Sequence, residues 1–136
     1  MLVGGLFMLG GGNSHHQKKT PDELEYERVK ADAIFKLKPP QAFEVQFTSA
    51  PANRLSMADE TGPSAELNFG SKAPEASVLR IIKRAARKAG WQYYGDNNWT
   101  KTYPGGKEMQ LLLFVDKGRY FSGGISYALR VSEPPI

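Results

Sequence analysis

Three clusters of turn-forming residues cut the last third of the chain at short spacing: Gly95-Asp-Asn-Asn98, Pro104-Gly-Gly-Lys107 and Asp116-Lys-Gly118. Around them stand Trp91–Tyr94, Trp99–Tyr103, Glu108–Val115 and Arg119–Val131, runs rich in aromatic and branched side chains. Such side chains favour extended backbone, and connections this short join neighbouring antiparallel strands. The pattern therefore predicts a four-strand meander. Gly123-Gly124 inside its last strand marks a bulge or a close backbone approach.

Ahead of the meander lies an amphipathic helix over residues 74–90. Pro74 suits its first position, Glu75 its positive dipole end and Gly90 its C′ position, with Arg87 and Lys88 in the last turn. At 100° per residue, Val78, Leu79, Ile81, Ile82, Ala85, Ala86 and Ala89 gather on one side. Arg80, Lys83, Arg84, Arg87 and Lys88 occupy the other. The apolar side is expected to lie on a sheet.

Two further strands precede this helix. Ala42–Phe47 alternates apolar and polar residues, which predicts a half-buried strand, and Ala65–Phe69 alternates again. The turn-rich residues 48–63 between them are expected to form a loop. Nearer the start, Thr20-Pro21-Asp22-Glu23 forms a capping box, and the helix it opens should reach about Lys36, short of Pro39-Pro40. Tyr26, Val29, Ala33 and Leu37 give that helix only a thin apolar stripe, and Asp32 and Lys36 stand at i,i+4 pairing distance. It is expected to serve as a stalk or edge cover.

These elements define an α+β fold: an antiparallel sheet of five or six strands with one amphipathic helix packed on a face, in the order α-β-β-α-β-β-β-β. The expected core is Trp91, Trp99, Leu111, Leu113, Phe114, Ile81 and Ile82. Three segments result: an apolar, Gly-rich N-terminal segment over 1–19, the first helix over 20–38, and the α+β domain over 39–136.

Residues 1–17 carry no charge, and Met1 to Gly12 are largely apolar. Twelve helical residues rise only about 18 Å, short of the roughly 30 Å hydrocarbon core of a bilayer. The expectation is the exit end of a membrane anchor whose start lies upstream of Met1, with Lys18 and Lys19 at the border. A Gly-rich tail and a cloning remnant around Ser14-His15-His16 are the competing readings.

The chemistry available is narrow. Cysteine is absent, and the two histidines, His15 and His16, lie in the N-terminal segment. The folded part therefore has no thiol nucleophile, no imidazole base and no Cys- or His-based metal site. No glycine pattern matches a phosphate-binding loop. The carboxylates are scattered, with Asp96 and Glu108 the one pair that a meander could bring together across its strands. Lys117-Gly-Arg-Tyr-Phe121 begins like an RNA-recognition motif, but Arg119 stands where the pattern needs an aromatic ring. The expectation is a non-enzyme without cofactor or metal.

The net charge of +4 has an address, because five of the 18 cations lie on one helix face. Such a face can track phosphates, and Trp91, Tyr93, Tyr94, Trp99 and Tyr103 stand near enough in sequence to stack bases. The competing reading is a solvated outer helix face, with those aromatics in the core.

The stretch from Phe35 to Val131 resembles a loose class of uncharacterised membrane-anchored or secreted actinobacterial proteins. The shared features are Leu37-Lys-Pro-Pro40, Ser71-Lys-Ala-Pro-Glu75, a helix ending Ala89-Gly-Trp91, and the second tryptophan, Trp99. The resemblance implies a membrane segment followed by an extracytoplasmic α+β domain. The leading expectation is a non-catalytic, membrane-anchored or exported accessory domain that binds a macromolecule or envelope component, with an anionic lipid surface as a further possible partner. The alternative is a cytoplasmic nucleic-acid-binding domain using Arg80, Lys83, Arg84, Arg87 and Lys88.

Overall fold

A computed structural model describes residues 19–52, 62–118 and 124–134. The elements are α1 (Pro21–Lys30), a short 3-10 turn (Ala33–Lys36), β1 (Ala42–Ala50), β2 (Ser64–Ser71), α2 (Glu75–Lys88), β3 (Gln92–Gly95), β4 (Asn98–Thr102), β5 (Glu108–Asp116) and β6 (Ile125–Ser132). All six strands form one antiparallel sheet in the order β1-β2-β6-β5-β4-β3. The α+β class and the order α-β-β-α-β-β-β-β are those the sequence predicts.

The order of strands decides what is buried. From β2 the chain crosses through α2 to the far edge, then returns strand by strand until β6 slots between β2 and β5. Those three central strands alternate, apart from the end of β2, where Phe69, Gly70 and Ser71 are all buried. Leu67, Leu129 and Leu113 pair side by side on the helix-covered face, as do Phe69 and Tyr127. Val78, Ile82 and Ala86, one turn apart along α2, close over them. Among the described residues no helix covers the opposite face.

Local chemistry explains the boundaries. Thr20 Oγ1 accepts from the Glu23 amide at 3.1 Å while the Glu23 carboxylate accepts from the Thr20 amide at 2.7 Å, so the expected capping box opens α1. At the other helix, Pro74 takes the N-cap position itself, one place earlier than expected. The C-terminus closes with a Schellman motif. Gly90 sits at φ +93°, its amide donates to Arg87 O at 3.0 Å, and the Trp91 amide donates to Ala86 O at 2.9 Å. Asp96 and Asn97, at φ +50° and +59°, make the tight turn that joins β3 to β4.

Several expectations are corrected. The first helix stops at Lys30, and Asp32 then caps the 3-10 turn by accepting from the Ile34 amide at 3.0 Å. The break redirects the chain, so Val29 and Ile34 reach the core while Ala33 stays exposed. The helix packs against β2. β1 is longer than expected and mostly exposed, since it is an edge strand whose pairing slips between Phe43 and Gln46. Its reach to Ala50 also takes in part of the expected loop, of which residues 53–61 lie outside the described residues. Phe114 is not core. Strand alternation turns Leu111 and Leu113 inward, which puts Phe114 on the open face at 51% exposure. Ile81 is only half-buried, whereas Ile82, Trp91, Trp99, Leu111 and Leu113 hold their expected core places.

Of the expected last strand, residues 119–123 lie outside the described residues. At Gly124 the predicted close approach is present, because a Cβ there would stand 2.7 Å from the Phe43 ring. Gly70 presses on the same ring from β2, at 2.5 Å for an added Cβ. The two glycines make the slot that holds Phe43.

Candidate functional site

The sharp turn at Gly90 folds β3 back beside α2, and the space between them is an open groove of about 620 Å³. Arg80, Lys83, Arg84 and Arg87 line one wall, at the i, i+3, i+4, i+7 spacing that makes one helix stripe. Their Cα atoms span about 10 Å of helix axis. Trp91, Gln92, Tyr93 and Trp99 form the rest of the lining. Among the described residues no carboxylate lies within 4 Å of any of these four cations. Lys83 Nζ sits 5.3 Å above the Tyr93 ring.

Four of the five predicted basic residues therefore share one concave surface. Lys88 does not line it, although it is exposed on the same helix. The aromatic expectation fares differently. Trp91, Trp99 and Tyr103 are buried, and Tyr94 stands 79% exposed on the open face of the sheet. Trp91 and Trp99 line the groove while buried, so among the described residues Tyr93, at 49% exposure and edge-on to Trp99 with centroids 5.2 Å apart, is the one exposed ring there. The alternative of several rings stacking bases is not assembled, and Trp91, Trp99 and Tyr103 lie in the core as the competing reading has them.

What holds the groove's floor is a residue that sequence reasoning placed on a helix surface. The Asp32 side chain is 1% exposed and receives four donors. Oδ1 accepts from the Ile34 amide and from Trp91 Nε1, each at 3.0 Å. Oδ2 accepts from Lys101 Nζ at 3.0 Å and from the Tyr103 hydroxyl at 2.9 Å. The expected Asp32–Lys36 pair is replaced by this set, because the helix break turns the carboxylate inward. Lys101 donates a further hydrogen bond to the carbonyl of Ala89, the last cap residue of α2. One carboxylate thus ties the first helix, the end of α2 and β4 together. Burial, then the charge and hydrogen bond of Asp32, push the Tyr103 hydroxyl far above the ordinary tyrosine range, so it stays a donor.

A second buried acid lies elsewhere, where α1 meets the end of β6. Glu25 is buried with its Oε2 atom unpartnered, and its carboxyl is pushed up to about 7. Burial is the main cause, followed by a hydrogen bond and the like charge of Glu133, with Lys107 opposing. Lys107 Nζ stands 3.4 Å from Glu133. Sequence spacing gives no hint of this pair, whose members come from opposite ends of the fold.

Asp96 and Glu108, the pair a meander could have brought together, lie apart. Asp96 belongs to the turn before β4, while Glu108 pairs with Thr102 at that strand's far end. Among the described residues no group of three or more His, Cys, Asp or Glu side chains could hold a metal ion, and no helix is long and apolar enough to cross a membrane. Comparison with protein-family models, curated proteins and solved structures found no match.

Proposed function

We propose that this chain is a non-catalytic binding domain whose working surface is the α2–β3 groove, and that its ligand there is a linear phosphate-bearing polymer of the cell envelope. The observation that carries the reading is the row of four cations along one wall of a concave surface, with no carboxylate partner among the described residues. A row of about 10 Å on a rigid helix can meet successive phosphates of an extended chain, and each contact releases condensed counterions. The anchored or exported placement rests on the apolar, uncharged composition of residues 1–12.

Single-stranded nucleic acid is the second reading, favoured by the one exposed ring, Tyr93. A sequence-tolerant single-strand site usually offers several stacking platforms, and this groove offers one, which is why the envelope polymer leads.

The test sets two phosphodiester chains side by side: fluorescent poly(glycerol phosphate) and a fluorescent deoxythymidine oligomer, read by anisotropy at low and moderate salt. Tighter, salt-sensitive binding of the first, lost with Arg84→Ala/Arg87→Ala, is the expected outcome. Preference for the oligomer selects the second reading. If neither binds at low salt, the groove is only a solvated helix flank. Membrane pelleting of the native protein, with protease accessibility in intact cells, checks the placement separately.

A further inference from the structure

The open face of the sheet carries its own recess, on the side away from both helices. Asn98 and Thr100 point outward because Trp99 between them points into the core, and Gln110 lies beside Thr100 on the next strand. Tyr94 is the extra residue at the pairing irregularity between Tyr93 and Gly95, and its ring is the most exposed of the large hydrophobic residues described. Together with Glu108 and Pro134 these side chains line a hollow of about 220 Å³.

We propose that this hollow is a subsite for one ring of a neutral oligosaccharide. A bare phenol ring presents an apolar, electron-rich face, which suits the C–H face of a pyranose. Asn98 and Gln110 each supply a donor pair and an acceptor, and Thr100 adds a hydroxyl. Sugar hydroxyls both donate and accept, so they can satisfy all three. Among the described residues no cation lines the hollow, and Glu108, the one charged residue of its wall there, repels the anions that the α2–β3 groove is proposed to attract. The volume admits a single ring in place of a larger drug-sized body. Phe114 stands on the same face, two strands over and one pleat repeat along, roughly 12 Å from Tyr94. A short linear sugar chain would reach from one ring to the other.

This inference is independent of the groove, since the two surfaces lie on opposite faces of the sheet. The experiment titrates the full chain, isotope-labelled, with a β-1,4-glucan hexasaccharide and with a β-1,4-N-acetylglucosamine hexasaccharide, following backbone amides by NMR. Saturable shifts at Tyr94, Asn98, Thr100 and Gln110 with either sugar are expected, with α2 unmoved. Tyr94→Ala should weaken binding at least tenfold with unchanged circular dichroism, and Arg84→Ala should leave it as it is. Absence of saturable binding by both sugars at millimolar concentration overturns the proposal. So does binding that survives Tyr94→Ala, or shifts confined to α2.

Discussion

Asp32 and the basic flank of α2 lie close together and handle charge in opposite ways. The Asp32 carboxylate is enclosed and meets four donors, drawn from the turn after α1, the residue before β3, β4 and the residue after β4. The four cations of the groove have no carboxylate within reach among the described residues. A buried charge is tolerable only when its lone pairs are used, so the first region is spent on holding the fold. An exposed charge costs little to leave unpaired, so the second remains available to a ligand. The difference separates an ion that holds the fold from the row of charges proposed to meet a ligand.

The largest expected effect tests the structural side. Asp32→Ala strands the Lys101 ammonium, the Trp91 indole and the Tyr103 hydroxyl, and should cost about 3–5 kcal/mol in urea unfolding. A loss below about 1 kcal/mol would mean that the carboxylate is not the tie it looks to be.

Next in size is a pH effect that comes from neither region and so calibrates both. Glu25 has a folded-state pKa near 7 against 4.5 when unfolded, so between those values the folded chain holds the extra proton. Stability from this group is complete below pH 4.5 and is lost as pH rises through 7, by at most about 3 kcal/mol. Glu25→Gln should flatten the dependence. An unchanged slope in that variant would assign it to other groups.

The groove should respond in the reverse sense. Arg84→Ala/Arg87→Ala is expected to move stability by no more than about 0.5 kcal/mol per site while weakening polyanion binding tenfold or more. Substantial destabilisation would erase the distinction between the two regions. The smallest effect belongs to Lys88→Ala, which should change affinity less than twofold, because Lys88 does not line the groove. A loss as large as that of Arg84 would extend the site beyond its present wall.

How much of this was legible follows the range of the interactions. α2 could be read almost to the residue, since its apolar period, its Gly90 cap and its terminal charges are local signals. The hairpins could be read for the same reason, Asp96 and Asn97 both taking the positive φ their turn requires. Asp32 could not. Three of its partners, Trp91, Lys101 and Tyr103, lie 59, 69 and 71 residues away, and nothing in the surrounding sequence separates an inward aspartate from an outward one. Phe114 was misjudged because residues 111–115 are all apolar, and a continuous run does not announce which face is buried.

The candidate site divides along the same line. The sequence by itself determined the helix with its cationic row, the strands in their order, and the lack of cysteine or of histidine after the N-terminal segment, because composition, periodicity and turn chemistry act over a few residues. Only the tertiary structure decided that the row would face a groove, that Tyr93 would be the one exposed ring described there, and that an acid counted as surface would become the knot beneath. Those outcomes depend on β6 entering between β2 and β5 while β3 takes the edge beside α2. Strand order is settled by burial summed over the whole sheet, and no local stretch of chain records it.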